Sequence, residues 1–166
     1  MASIGLVRID GRLLHGQVVT KWIQESDSSR VIIIDNKLVS DDFLRDVFLM
    51  AAPPGINVQI KSTEQAGSEW KKDQFGEGNV LVLFKDPENV SDAIKAGFKM
   101  DELQVGNMGS SPGKKLVYKT VSLSKNDADL LISIGNQGVK VYFQSLPEDR
   151  KLELQSVMNK HYKKLS

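Results

Sequence analysis

Short apolar runs alternate along this chain with longer stretches in which apolar residues recur every three or four positions. Ile4–Ile9 reads as a strand and Gln17–Ser26 as a helix. Val31-Ile32-Ile33-Ile34 is a continuous β-branched run, the mark of a strand buried on both faces. Ser40-Asp41-Asp42 caps a helix reaching about Ala52, with Phe43, Leu44, Val47, Phe48 and Met50 as its apolar stripe. Pro53-Pro54-Gly55 stops that helix. Asn57–Lys61 is a short strand, and Ser62–Lys72 a helix capped by Ser62 or Thr63. Gly76 and Gly78 turn into Val80–Phe84, the clearest strand of all. Asp86-Pro87-Glu88 opens a helix that Gly97 closes. Glu102–Val105 is a strand, Gly106–Lys115 a glycine-rich loop, and Lys119–Leu123 another strand. Lys125–Asn136 is a helix, Val139–Phe143 a strand, and Pro147-Glu148 opens a last helix running to the C-terminus.

Strands that alternate with helices require crossover connections and a mostly parallel sheet. The expectation is one α/β domain over residues 1–166, an open twisted sheet of about seven strands with helices on both faces. The composition narrows the function. Lys+Arg number 22 and Asp+Glu 21, a formal net charge of +1, which gives no case for nucleic acid or an anionic membrane as partner. The absence of cysteine excludes disulfides, thiolate catalysis and cysteine-based zinc sites, and fits a reducing compartment. No signal-like N-terminus and no apolar run near the ~20 residues of a membrane span is present. A cytoplasmic protein is expected.

The most informative passage is Arg8-Ile9-Asp10-Gly11-Arg12-Leu13-Leu14-His15-Gly16-Gln17-Val18. It puts one of the two histidines on the loop between the first strand and the first helix, where open α/β sheets bind ligands. His15 could merely cap the helix. Against that, Gly16 permits close approach, the following amides and helix dipole favour an anion, and the planar fork of Arg12 suits phosphate oxygens. Together these describe a nucleophile able to accept a phosphoryl group. Arg8 is either a support or an edge arginine. Asp10 either pairs with Arg8 or Arg12, orients the imidazole, or makes a plain Asp-Gly turn.

Other candidates are weaker. Asp35, ending the second strand and expected close to the first loop, could accept phosphate as receiver domains do. Gly106–Lys115 fails the phosphate-loop pattern, because Lys115 stands where Ser or Thr is needed. It reads as a flexible loop, or as a mobile one that brings Ser110, Ser111 or Lys114 to an anion near His15. It should emerge at the same end of the sheet as His15. His161, within Lys160-His161-Tyr162-Lys163-Lys164, reads as a cation at a helix C-terminus. Two distant histidines and no cysteine leave no plausible transition-metal site.

The Arg8–Val18 passage, with Trp22 after it, resembles the active-site signature of the IIB components of mannose/fructose/sorbose-type sugar phosphotransferase systems. Ala51-Ala52-Pro53-Pro54-Gly55, Val80–Phe84, Val105-Gly106-Asn107-Met108 and Gln144-Ser145-Leu146-Pro147 are similar to the family too, so the resemblance runs the full length. It implies a mostly parallel sheet flanked by helices. It implies that His15 takes a phosphoryl group, through Nδ1, from a phosphohistidine of the IIA component. His15 would pass it to a sugar held by the membrane IIC/IID components, without metal or cofactor. Arg12 would hold the phosphate, with Arg8, Asp10, Gly16 and Gln17 in support. The protein would be cytoplasmic and peripheral to the transporter. Two positions depart from the family's pattern, Gly11 where an aspartate is frequent and Asn107 where a second glycine is common. Asn107 with Gly113-Lys114-Lys115 is similar to members handling amino sugars such as N-acetylgalactosamine. The sequence leaves the sugar and any homo-oligomer open.

Overall fold

The computed structural model of the protein describes residues 2–162. In chain order the elements are β1 (Ser3–Asp10), α1 (Gly16–Glu25), β2 (Arg30–Ile34), α2 (Asn36–Val39), α3 (Asp42–Met50), β3 (Asn57–Lys61), α4 (Thr63–Asp73), β4 (Asn79–Phe84) and α5 (Pro87–Ala96). There follow β5 (Glu102–Asn107), β6 (Lys115–Tyr118), β7 (Val121–Leu123), α6 (Lys125–Asn136), β8 (Lys140–Phe143), β9 (Leu152–Glu153) and α7 (Leu154–His161). The main sheet has seven strands in the order β3-β2-β4-β1-β5-β8-β9, and each pairing is parallel except that of β9. Both the fold class and the strand number match the expectation, although the membership differs.

Residues alternate across the strands and build a core on each face. Ile32, Ile34, Val80, Val82 and Phe84 pack beneath α4, α5, α6 and α7. Val31, Ile33, Leu81 and Leu83 pack with Val19, Trp22 and Ile23 of α1 and with Leu38 of α2. That double cover is why β2 and β4 are unbroken apolar runs. Caps fix the helix starts: Ser62 and Ser124 each form a reciprocal capping box, and Asp86 caps α5 ahead of Pro87.

Four expectations need correction. The strand expected at Lys119–Leu123 is half of a hairpin, β6–β7, that lies outside the main sheet. Lys119 and Thr120 form its turn, and Thr120 is hooked to β5 by its hydroxyl on the Gly106 carbonyl (2.6 Å) and its carbonyl on the Met108 amide (2.9 Å). The last helix begins at Leu154, not at Pro147. Asp149 folds residues 146–149 into a turn by accepting the Leu146 amide at 2.9 Å, and Leu152–Glu153 then pairs antiparallel with β8. Lys119 bonds Asp149 at 2.9 Å, which together with the Leu146 amide holds its carboxyl below the usual range. Where that helix was expected to run on to the C-terminus, residues 163–166 lie outside the described residues. Glycine-rich loop character is confined to residues 109–114, since Gly106 and Asn107 belong to β5 and Lys115 to β6. Finally, α3 has no buried residue: Phe43 and Met50 are 75% and 86% exposed, and Phe48 alone of the expected stripe packs on the core. The helix lies against the edge strand β3, where the sheet ends and offers little surface to cover it.

Gly67 shows how closely α4 and α5 approach. A Cβ there would overlap the backbone of Ala96. Gly67→Ala should therefore destabilise the fold by about 1–3 kcal/mol, the usual cost of overpacking. Urea denaturation reads this directly, and a change below about 0.5 kcal/mol, the range of neutral surface changes, would contradict the packing described.

Candidate functional site

The site is built on the carboxyl end of β1. Positions 6, 8 and 10 of β1 face the α1 side of the sheet, where Leu6 is apolar but Arg8 and Asp10 are not. Both are fully buried. The Arg8 Nε lies 3.4 Å from Asp10 Oδ2. Its Nη1 donates to Gln104 Oε1 and to the Gln144 carbonyl (3.0 Å), and its Nη2 donates to the Ser145 carbonyl (3.1 Å). The guanidinium carbon sits 5.2 Å from the centre of the Trp22 ring, a cation–π distance. Burial lowers the Arg8 pKa from its ordinary value, and the Asp10 charge opposes that shift. Gly106 of β5 makes room for this guanidinium, because a Cβ at 106 would overlap it.

Asp10 is shared. Its Oδ1 accepts the Arg12 amide at 3.0 Å and lies 3.9 Å from Arg12 Nε, while its carbonyl accepts the Leu13 amide at 2.9 Å. These bonds close a tight turn in which Leu13 takes a left-handed conformation (φ 54°), unfavourable for a leucine. Burial of Leu13 and Leu14 in the core beneath α1 holds the turn there. The Arg12 side chain, by contrast, is 51% exposed.

His15 follows as the N-cap of α1, in extended conformation and partly buried. Among the described residues no side chain caps α1, which leaves its leading amides for another acceptor. His15 Nδ1 lies 3.4 Å from the Leu13 carbonyl, the outer limit of a hydrogen bond. Gly16 is left-handed (φ 50°), exposed, and has open space where a side chain would stand; Gln17 is exposed beside it. One strand end thus carries an exposed guanidinium, an uncapped helix start and an imidazole, groups chemically suited to an anion and to nucleophilic attack.

The family model described as "PTS system sorbose subfamily IIB component" matches residues 4–166. The chain belongs to this family. It is 34% identical over 146 residues to the sorbose-specific EIIB component of Lacticaseibacillus casei, spanning 88% of this chain and 89% of that one. It is 32% identical over 157 residues to the sorbose-specific EIIB component of Klebsiella pneumoniae, spanning 95% and 96%. The crystal structure of the IIBSor domain of the sorbose permease from Klebsiella pneumoniae superposes with a TM-score of 0.89 at 32% identity, covering 96% of this chain and 98% of that one. The mannose-specific EIIAB component of Escherichia coli is 28% identical over 157 residues, 95% of this chain but 49% of its own length. This IIB component is thus a phosphotransferase that acts in sugar phosphotransfer.

Of the other candidate residues, Asp35 does not join the site. Strand β4 lies between β2 and β1, contrary to the adjacency expected from the sequence. The Asp35 carboxylate is buried and occupied, accepting the Leu38 amide (2.8 Å) as the cap of α2 and the Asn89 side chain (3.0 Å). The 109–114 loop does emerge at the His15 end, because β5 runs parallel to β1 and the Gly11 amide bonds the Asn107 carbonyl at 2.8 Å. Ser110, Ser111 and Lys114 line a cavity of about 370 Å³ with Gly11, Lys85 and Asp127, and Lys114 pairs with Asp127 at 3.7 Å. The two departures from the family's pattern are thus neighbours, and a side chain at 11 would reach Asn107 Oδ1. His161 lies apart, on α7, where Lys115 bonds its carbonyl.

Sequence reading missed Gln104, Gln144, Tyr118 and the Ser145 peptide. The Ser145 carbonyl also accepts Trp22 Nε1 (3.0 Å), and its amide donates to the Tyr118 hydroxyl (3.2 Å). The signal was the strand alternation: in Leu103-Gln104-Val105 and Phe143-Gln144, each polar residue faces the same side as Arg8.

Removing Arg8 would strand Asp10. Arg8→Met should cost about 3–5 kcal/mol, the penalty of a buried charge without its partner, and Asp10→Asn in the same chain should recover part of it. Calorimetry of both variants checks this; an Arg8→Met protein as stable as the parent would mean that Asp10 is not compensated by Arg8.

Proposed function

We propose that His15 is the phosphoacceptor of this IIB component. It takes the group from a phosphohistidine on the IIA component and gives it to a sugar hydroxyl presented by the membrane IIC/IID components. In the first step the P–N bond to the IIA imidazole breaks as a P–N bond to His15 forms. In the second, that bond breaks, a P–O bond forms on the sugar, and the hydroxyl proton ends on the released His15 imidazole. The single observation carrying this reading is the position of His15, at the uncapped start of α1 and three residues after Arg12, whose guanidinium is exposed.

Each residue has a chemical task. Arg12 supplies charge and a two-pronged donor to the phosphoryl oxygens. The amides at Gly16 and Gln17 and the helix dipole favour the added negative charge. Gly16 leaves the approach open. Arg8 and Asp10 act from below by fixing the turn. In the present rotamer a phosphoryl group on Nδ1 would meet the Leu13 carbonyl, so transfer through Nδ1 calls for rotation of the ring. Catalysis is by alignment and charge stabilisation. The protein works in the cytoplasm, docked peripherally on the transporter; among the described residues no helix is long and apolar enough to cross a membrane. Choice of sugar rests with the membrane components.

Two outcomes test the reading. Incubation with phosphoenolpyruvate, the general phosphotransferase proteins and IIA should label His15 alone, in an acid-labile and alkali-stable form mapped by mass spectrometry. Label on Asp35 or His161, or full labelling of His15→Ala, would overturn it. Arg12→Lys should fold normally and transfer about 10–1,000-fold more slowly, since lysine keeps the charge but loses the fork. An unchanged rate by rapid quench would reassign Arg12 to a structural role.

A further inference from the structure

We propose that Gln104, backed by Gln144, is a positioning residue for phosphoryl transfer: its neutral amide oxygen holds Arg8 without cancelling its charge, so that Arg8 compensates Asp10 and leaves the Arg12 fork free for phosphate. The inference rests on the reading of His15 as phosphoacceptor.

Gln104 is fully buried, so it touches neither partner protein nor transferred group. Its orientation is fixed by chemistry. The oxygen faces the Arg8 cation, and the amide nitrogen donates to Gln144 Oε1 at 3.2 Å. Gln144 Nε2 in turn donates to the carbonyls of Asp149 (2.9 Å) and Pro147 (3.4 Å). The chain of amides thus runs one way, from the turn after β8, through Gln144 and Gln104, to Arg8 and Asp10.

The charge on each partner of Arg8 decides what this chain does. Arg8 faces one carboxylate, Asp10, and three neutral oxygens, those of Gln104, Gln144 and Ser145. Neutral acceptors satisfy its donors and leave its positive charge for Asp10. Asp10, held between two arginines, contacts the Arg12 guanidinium only at 3.9 Å. A carboxylate at position 104 would compete for Arg8. Asp10 would then attract Arg12 more strongly and draw its fork off the phosphoryl group. Glutamate matches glutamine in shape, so Gln104→Glu preserves the packing while adding a charge and replacing the donor to Gln144 by an acceptor.

The test measures transfer from purified phospho-IIA to Gln104→Glu, in the parent and in an Arg12→Ala background. The expected result is a protein that folds but melts below the parent, because a second buried carboxylate faces the Gln144 oxygen, with an unchanged KM for phospho-IIA and kcat reduced about 10–100-fold, the usual effect of an outer supporting partner. In the Arg12→Ala background the same substitution should have no further effect, since the fork it displaces is gone. A parental kcat in folded Gln104→Glu, or an equal loss with and without Arg12, would overturn the inference. Should Gln104→Glu not fold, Gln144→Met removes the support on the Gln104 amide without adding charge. A kcat loss there that vanishes in Arg12→Ala supports the inference, and an additive or absent loss overturns it. Failure of the parent protein to label at His15 would instead defeat the underlying reading.

Discussion

A guanidinium and a carboxylate lie side by side inside the sheet, and the loop that carries His15 is arranged around them. Placing Arg8 and Asp10 out of water costs several kcal/mol per ion. The cost is offset because Arg8 finds an acceptor in each direction and the Asp10 carboxylate accepts the Arg12 amide besides. That requirement explains several neighbours. Gly106 has no side chain because the guanidinium occupies its place. Trp22 covers the cation and, through its indole N–H, ties α1 to the turn after β8. One carboxylate then sets the backbone of the His15 loop while the arginine above it stays exposed.

The remaining constraints are geometric. Strand β1 lies inside the sheet, between β4 and β5, so its carboxyl end is braced on both sides. Leu13 and Leu14 anchor the turn in the core, and His15 is delivered to the helix start with little freedom of backbone. The imidazole is left partly exposed and Arg12 exposed, where the proposed function has two partner proteins reach them in turn. Polar rims and limited area suit such transient contacts. By contrast, the apolar side of α3 is uncovered at the β3 edge.

Strong local signals made most of the fold legible. Val31–Ile34 and Val80–Phe84 needed cover on both faces, and serine and aspartate caps with Pro87 marked helix starts. The site loop was legible because histidine, arginine and glycine stood between a strand and a helix. Errors arose where tertiary contacts outweighed local pattern. Thr120 joins β5 and so makes a hairpin where one strand was expected. Asp149 bends a Pro-Glu segment that otherwise opens a helix well. Asp35 looked like a phosphate acceptor, yet its carboxylate caps α2. The links from Arg8 to Gln104 and Gln144 span 96 and 136 residues, so no local window contains them. They become visible once β1, β5 and β8 are set side by side.

The proposed function divides the labour between two arginines: Arg8 stays on Asp10 and Arg12 moves to the phosphate. Arginine side-chain NMR reads it directly, through the Nε–H signals of both residues before and after phosphorylation by phospho-IIA. The Arg12 signal should shift and its exchange with water slow, while the signal of Arg8, buried and already bonded, should stay where it was. A shift confined to Arg8, with Arg12 unmoved, would contradict it.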